Sequence, residues 1–218
     1  MTSESMIELR VAREDELERV RDVLRTIYYP EEAITISYIY GKEPTLDDER
    51  FSLSFVQQGT VVLAEDKTSG HVVGIAIAGP IVPGDPDLMV REAATTDTKK
   101  WSDILKLLAY LERTANVCGR FGLPTAYHVH ILGVNPSYRG QRLGLKLMQF
   151  HENLAKQLGF RAICADFTSV YSARLADQLG MEIISQVSLE DYRDENSEKL
   201  FEPKEVHRLI KTCVKLLS

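Results

Sequence analysis

The sequence predicts a single α/β domain built on a mixed β-sheet with parallel character. Three patterns carry that prediction: a period-two strand near the start, an apolar hairpin, and alternation of strand and helix from residue 126 onward. Parallel neighbours need crossover segments, and helices between strands supply them. No internal repeat or linker-like shift in composition divides the 218 residues, so one domain is expected over 1–218.

Ile7, Leu9 and Val11 alternate with Glu8 and Arg10, the period of a half-buried strand. Glu14, Asp15 and Glu16 suit the positive end of a helix whose apolar stripe is Leu17, Val20, Val23, Leu24 and Ile27. Pro30 ends it, because proline disfavours helical geometry in the residue before it. Glu31 and Glu32 then occupy the first turn of a second helix that runs to residue 40. Thr45 reads as the N-cap of a third, with Asp48 completing a weak capping box. The runs 61–65 and 72–77, joined by Thr68-Ser69-Gly70, read as a hairpin. Pro80, Pro83 and Pro86 with Gly84 make 80–87 a loop. A helical stripe crosses 99–120 through Ile104, Leu107, Leu108, Leu111 and Ala115, with Gly119 or Gly122 as its stop. Residues 126–134 form a strand, apolar except for His128 and His130. A helix over 143–158, a strand over 161–166, a helix over 169–179 and a strand over 181–188 follow. The tail, 205–217, fits helix or strand, and the strand is preferred for its clusters at Val206, Leu209, Ile210, Cys213 and Val214.

Lysine and arginine number 26 against 32 acidic residues, a net charge of −6. No overall basic field exists to hold a nucleic acid, whereas a cationic small molecule suits the chain. Cys118, Cys164 and Cys213 are odd in number and lack CxxC spacing, which argues against a disulfide framework or zinc site. Residues 1–5 lack the basic start of a signal peptide, and no stretch approaches the ~18 apolar residues of a membrane span. The expectation is a cytoplasmic monomer with no membrane or nucleic-acid partner.

The chemistry concentrates in Leu132-Gly133-Val134-Asn135-Pro136-Ser137-Tyr138-Arg139-Gly140-Gln141-Arg142-Leu143-Gly144-Leu145. This is a buried strand, a turn forced by Asn-Pro-Ser, and a glycine-bearing helix start. Unpaired N–H groups there, backed by the helix dipole, make an anion site, to which Arg139 and Arg142 add charge. Spacing alone equally allows an ordinary strand-to-helix turn.

These residues resemble motif A of the GNAT superfamily of N-acetyltransferases, whose pattern Arg/Gln-x-x-Gly-x-Gly/Ala binds the pyrophosphate of acetyl-CoA. The pattern falls on Arg139, Arg142 and Gly144, with Arg142 replacing the central glycine. A positive φ is costly for arginine, so the loop either deviates locally or accepts the right-handed helical region at this position. The resemblance implies acetyl-CoA as co-substrate and no metal. It places Leu132, Gly133, Val134, Arg139, Gly140, Gln141, Arg142, Leu143, Gly144, Leu145 and Ser169 around the coenzyme. It also implies a single-domain GNAT fold: a mostly antiparallel mixed sheet with a splayed parallel pair of central strands, flanked by helices.

Within that superfamily the chain resembles the insect arylalkylamine N-acetyltransferases over nearly its whole length. Tyr29-Pro30-Glu31-Glu32-Ala33 is similar to that family's early acidic motif, which implies Glu32 as general base. Ala33 stands where the family has proline, making Glu31 a rival, and both acids also suit a plain helix start. Thr168-Ser169-Val170-Tyr171-Ser172-Ala173, followed by Leu179-Gly180, resembles the segment carrying two functional serines, here Thr168 and Ser172. Ala176 occupies the place of the tyrosine acid of many GNAT enzymes. Ser172 or water must then protonate the thiolate, with Tyr171 as an outside candidate, although Ser and Thr before a helix also serve as caps. His207 matches a histidine near the acceptor pocket. Tyr28, Tyr38 and Tyr40 could line that pocket or pack in the core.

His128 and His130 share one strand face. No third ligand accompanies them, so metal binding ranks low. They resemble the His-x-His proton relay of vertebrate serotonin N-acetyltransferase, and two hydrogen-bonded core histidines fit equally well. The expected activity is acetyl transfer to an arylalkylamine such as tyramine, dopamine or serotonin, by direct attack. Glu32 is the base, His130 a relay, and Glu31, Glu32, Tyr28, Ser172 and His207 meet the acceptor. The alternatives are agmatine, polyamines or longer acyl donors within the family, a protein N-acetyltransferase, and a non-catalytic CoA-binding module.

Overall fold

The computed structural model describes residues 6–217, with the side chains of Val170 and Tyr171 outside that description. Among these residues seven strands form one sheet: β1 Ile7–Val11, β2 Val61–Asp66, β3 Val72–Ile81, β4 Ala126–Val134, β5 Ala162–Phe167, β6 Glu182–Ser188 and β7 Leu209–Leu216. Their order is β1-β2-β3-β4-β5-β7-β6. Only the β4–β5 pair is parallel, and the tail strand enters between β5 and β6. The expected mixed, mostly antiparallel sheet is therefore present.

Period two sorts each strand's side chains onto two faces. Val62 and Ala64 pack with Leu143 and Leu147 of α7 (Leu143–Gln157), whereas Val61 and Leu63 pack with Val20 and Val23 of α1 (Leu17–Val23). The α7 face also carries α8 (Val170–Leu179) over β5. The α1 face carries α2 (Ala33–Ser37), α3 (Leu46–Ser54), α4 (Asp85–Ala93), α5 (Lys99–Ala115) and α6 (Val117–Phe121).

Several sequence expectations are corrected. The second helix stops at Ser37, because Tyr38 turns extended and bridges to Phe201. The 80–87 loop is the end of β3 followed by α4: Pro86 sits in the first helical turn, where its missing N–H has no helical partner to lose. The long 99–120 helix breaks at Asn116, which adopts a left-handed conformation (φ 44°) and caps α6 with its side chain. Tyr38 is core, its hydroxyl donating to Asp103 at 2.7 Å, whereas Tyr40 is 59 % exposed.

Two irregularities in β4 open the sheet at its centre. Ile77 and Ala78 face Ile131 and Val129, so His130 is the extra residue of a β-bulge. On the other side, β4 pairs with β5 only at Tyr127, His128 and Val129. Past Val129 the parallel strands part. Asn135 N–H donates to Val73 O at 2.9 Å. Ladder alternation therefore turns the Gly133 N–H toward β3 and those of Leu132 and Val134 into the gap.

Candidate active site

The loop after β4 builds a cradle of main-chain donors. Asn135 accepts from Ser137 N–H at 3.0 Å, and Arg139 to Arg142 are exposed. Gly140 has φ 81° and Arg142 φ 58°. The right-handed alternative for Arg142 is thereby overturned: the chain keeps the left-handed turn and bears the strain of a side chain in it. Arg142 caps α7 without a side-chain hydrogen bond, and the first intrahelical bond is Lys146 N–H to Arg142 O. The N–H groups of Leu143, Gly144 and Leu145 precede that bond, at the positive end of a 15-residue helix. Gly144 lies near Leu132, Val134 and Leu175, tying the cradle to both β4 and α8.

A π-helical turn, Leu24–Tyr28, carries the acidic motif to β4. The turn packs on Gly133, where an added Cβ would be in ordinary van der Waals contact with Tyr28 Cβ at 3.4 Å and Ile27 Cγ2 at 3.5 Å. Glu32 follows as the N-cap of α2, its oxygens accepting from Ile34 N–H (2.8 Å) and Thr35 N–H (2.5 Å). Burial, helped by the charges of Glu32 and Asp48, holds the Tyr28 phenol well above its usual range. Glu31 points elsewhere, pairing with Arg139 of the cradle at 3.2 Å.

Across the gap, Ser169 and Ser172 form a reciprocal capping box at the start of α8, with 2.9 Å between their hydroxyls. His207 donates its Nδ1–H to the Thr168 carbonyl at 3.1 Å, which leaves Nε2 as an acceptor. Thr168, Ser169, Ser172 and His207 thus form one cluster at the end of β5. Tyr171 lies outside the described residues.

His128 and His130 do share a face, with 2.9 Å between their Nδ1 atoms. His128 Nε2 lies 3.5 Å from Asp166 Oδ2, and Asp166 Oδ1 accepts from Thr212 at 2.5 Å. Burial works against the His128 imidazolium, but the hydrogen bond and charge of Asp166, with Glu112, raise it above the ordinary histidine value. Burial and the neighbouring His128 hold His130 well below it. With His128 Nε2–H directed at Asp166, its Nδ1 accepts from His130, and the buried His130 Nε2 is left without a protein partner. Among the described residues no group of three or more acidic, histidine or cysteine side chains is arranged to hold a metal.

Three charged residues escaped sequence reasoning. Asp48 reads as a cap residue, and Thr45 does accept from its N–H at 3.1 Å. Its carboxyl also accepts from Tyr29 O–H (3.1 Å), and burial together with the Glu32 charge pushes it up to about 7. Lys100 is buried, donates to the carbonyls of Gly41 and Glu43, and acts electrostatically on Asp48 and Glu32. Glu112 shares a cavity with His128 and Asp166. Its position four residues after Leu108 and three before Ala115 was the available signal, a carboxylate on an apolar helix face.

Residues 17–181 match the acetyltransferase (GNAT) family. The chain superposes on a mosquito arylalkylamine N-acetyltransferase-like 5b with a TM-score of 0.96, 69 % identity, and coverage of 97 % of this chain and 100 % of that one. A polyamine N-acetyltransferase of Drosophila melanogaster, which catalyses formation of N-acetylagmatine, matches with a TM-score of 0.91 and 36 % identity, over 97 % and 100 % of the two chains. A putative Salmonella typhimurium acetyltransferase, solved with acetyl-CoA, shares the fold at a TM-score of 0.54 and 16 % identity, over 98 % and 95 %. With the helix-start cradle and splayed strands already in place, these matches settle the family: the chain belongs to the GNAT acetyltransferases, enzymes that draw their acetyl group from acetyl-CoA.

Proposed function

We propose that the chain transfers an acetyl group from acetyl-CoA to the primary amine of a small arylalkylamine of the tyramine, dopamine or serotonin type, by direct attack. The observation that carries this reading is the seat of Glu32. Its carboxylate is fixed by two main-chain donors beside half-buried Tyr28, which packs on Gly133 where β4 leaves β5. An alkylamine of pKa about 10 arrives protonated, so a base must act before its lone pair reaches the thioester. Glu32 takes that proton through a water, and His130 relays it onward. The N–H groups of Leu132 and Val134, turned into the gap, hold the tetrahedral oxyanion. Burial raises the thiols of Cys118, Cys164 and Cys213, which supports attack without a cysteine acyl-enzyme. No helix among the described residues is long and apolar enough to cross a membrane.

The likeness to an arylalkylamine N-acetyltransferase-like protein at 69 % identity supports an aromatic amine. The enzyme that forms N-acetylagmatine, at 36 % identity, supports a second reading in which the acceptor is agmatine or a polyamine. Steady-state turnover with acetyl-CoA over tyramine, dopamine, serotonin, histamine, agmatine and spermidine separates them. The highest kcat/KM is expected for an aromatic amine; agmatine or spermidine in first place would establish the second reading, and coenzyme binding without turnover would overturn both.

Ser172→Ala should lower kcat by about 10²-fold, the low end of general-acid catalysis, while acetyl-CoA affinity stays within about threefold. Equal losses in both would make Ser172 only the partner of Ser169 in the helix cap. Arg142→Gly should relieve about 1 kcal/mol of left-handed strain and leave acetyl-CoA affinity unchanged or better, measured by calorimetry. A tenfold loss would instead make the guanidinium a phosphate ligand.

A further inference from the structure

Glu112 projects from α5 into a narrow cavity of about 30 Å3, which it shares with Phe51, Leu108, His128, His130 and Asp166. Such a volume admits one or two water molecules. Glu49 on α3 and Asp103 on α5 have cationic partners, Arg25 and Lys99. Among the described residues Glu112 forms no such ion pair, and unlike Asp48, which accepts from Tyr29, it has no side-chain hydrogen bond there. Burial pushes its carboxyl up to about 7, with His128 acting to lower it and Asp85 and Asp166 to raise it. Cys118 and Cys164 also feel its charge, and both thiols are themselves raised by burial. A carboxyl group without an ion pair or a side-chain hydrogen bond in a narrow, mostly enclosed cavity costs stability, so packing gives no reason for it.

We propose that Glu112 is the outlet of a proton path that begins at the acceptor amine and runs through the histidine pair. This rests on the reading in which His130 receives the acceptor's proton. Each turnover converts an ammonium and a thioester into an amide and a thiol: two N–H bonds break, one S–H bond forms, and one proton must leave. From Glu32 and its water the proton reaches the free Nε2 of His130. The Nδ1–H of His130 breaks as an Nδ1–H forms on His128, 2.9 Å away. His128, now an imidazolium held by Asp166, gives its Nε2 proton to cavity water, and the Glu112 carboxylate accepts it before release to solvent. Glu112 acts through the histidines and does not touch the substrates.

The test measures turnover from pH 5.5 to 9 and thermal unfolding for Glu112→Gln, Glu112→Asp and His130→Gln. In the wild-type protein kcat rises with pH as Glu112 ionises near 7. Glu112→Gln should lose that limb and about 10-fold in kcat at pH 8, with KM for the amine unchanged, and Glu112→Asp should recover part of the rate. Stability separates this from a structural role. An acid whose folded pKa lies above its unfolded value binds an extra proton when folded, so stability declines as pH rises from about 4 to about 7. Glutamine removes that decline, so Glu112→Gln should match the wild-type Tm at pH 4 and exceed it by a few degrees at pH 8. A slower yet more stable enzyme supports the outlet. An unchanged rate profile in Glu112→Gln beside an impaired His130→Gln overturns the outlet alone, and a wild-type rate in His130→Gln overturns the histidine path with it. A Tm lowered at both pH values makes Glu112 structural.

Discussion

Glu32→Gln should lower kcat/KM by about 10²–10⁴-fold across the pH range, as expected when a general base is removed. The substitution is nearly isosteric, but only one oxygen remains to accept, so either the Ile34 or the Thr35 N–H loses its partner. That is worth about 1 kcal/mol of capping, too little to unfold the chain. A Tm within a few degrees of wild type, with activity lost, therefore assigns chemistry to the carboxylate. Glu31→Gln is the paired control: its carboxylate belongs to Arg139 and should cost far less activity. An unchanged profile in Glu32→Gln would move the base to Glu31 or His130.

The parts of this fold that were legible are those written locally. Period two at Ile7–Val11, the apolar runs and turn of the β2–β3 hairpin, and the strand–helix alternation after residue 126 pointed to the mixed sheet with its parallel character. Pro86 misled because proline marks helix starts as well as loops, and α4 was hidden behind it. The π-helical turn at Leu24–Tyr28 has no local signature: it packs against β4 at Gly133, and that is a tertiary fact. The same division holds at the site. Residues 132–145 show a loop and helix-start pattern that spacing alone leaves open to an ordinary turn, and Glu32 stands out only through the family resemblance. Asp48, Lys100, Asp166 and Glu112 sit on three different elements, and only the tertiary fold gives them shifted protonation, burial moving Asp48, Lys100 and Glu112 and His128 holding Asp166 down. His130 was read correctly as facing His128, but its bulge became visible only once β3 had been paired with β4.

Leu147→Ala should destabilise the chain by about 2–5 kcal/mol and, at roughly 2–4 °C per kcal/mol for this size, lower Tm by about 4–20 °C. Leu147 is 0 % exposed on the sheet-facing side of α7, against Val62, Ala64, Val73 and Ala76. Its Cδ1 fills the space over Gly74, where a Cβ would come within 3.2 Å. The α7 N-terminus supplies the free N–H groups of Leu143, Gly144 and Leu145, so a loosened helix should also raise KM for acetyl-CoA. Binding to the folded state then restores stability, by about 2.7 kcal/mol at a hundredfold excess of ligand over Kd. Gly74→Ala alone should destabilise by about 1–3 kcal/mol through overpacking. In the Leu147→Ala background the added methyl enters the void it leaves, so the two losses should fall short of adding. Strict additivity in a double-mutant cycle, measured by denaturant unfolding, would show that α7 is not seated through this contact and that its hold on the coenzyme comes from the loop alone.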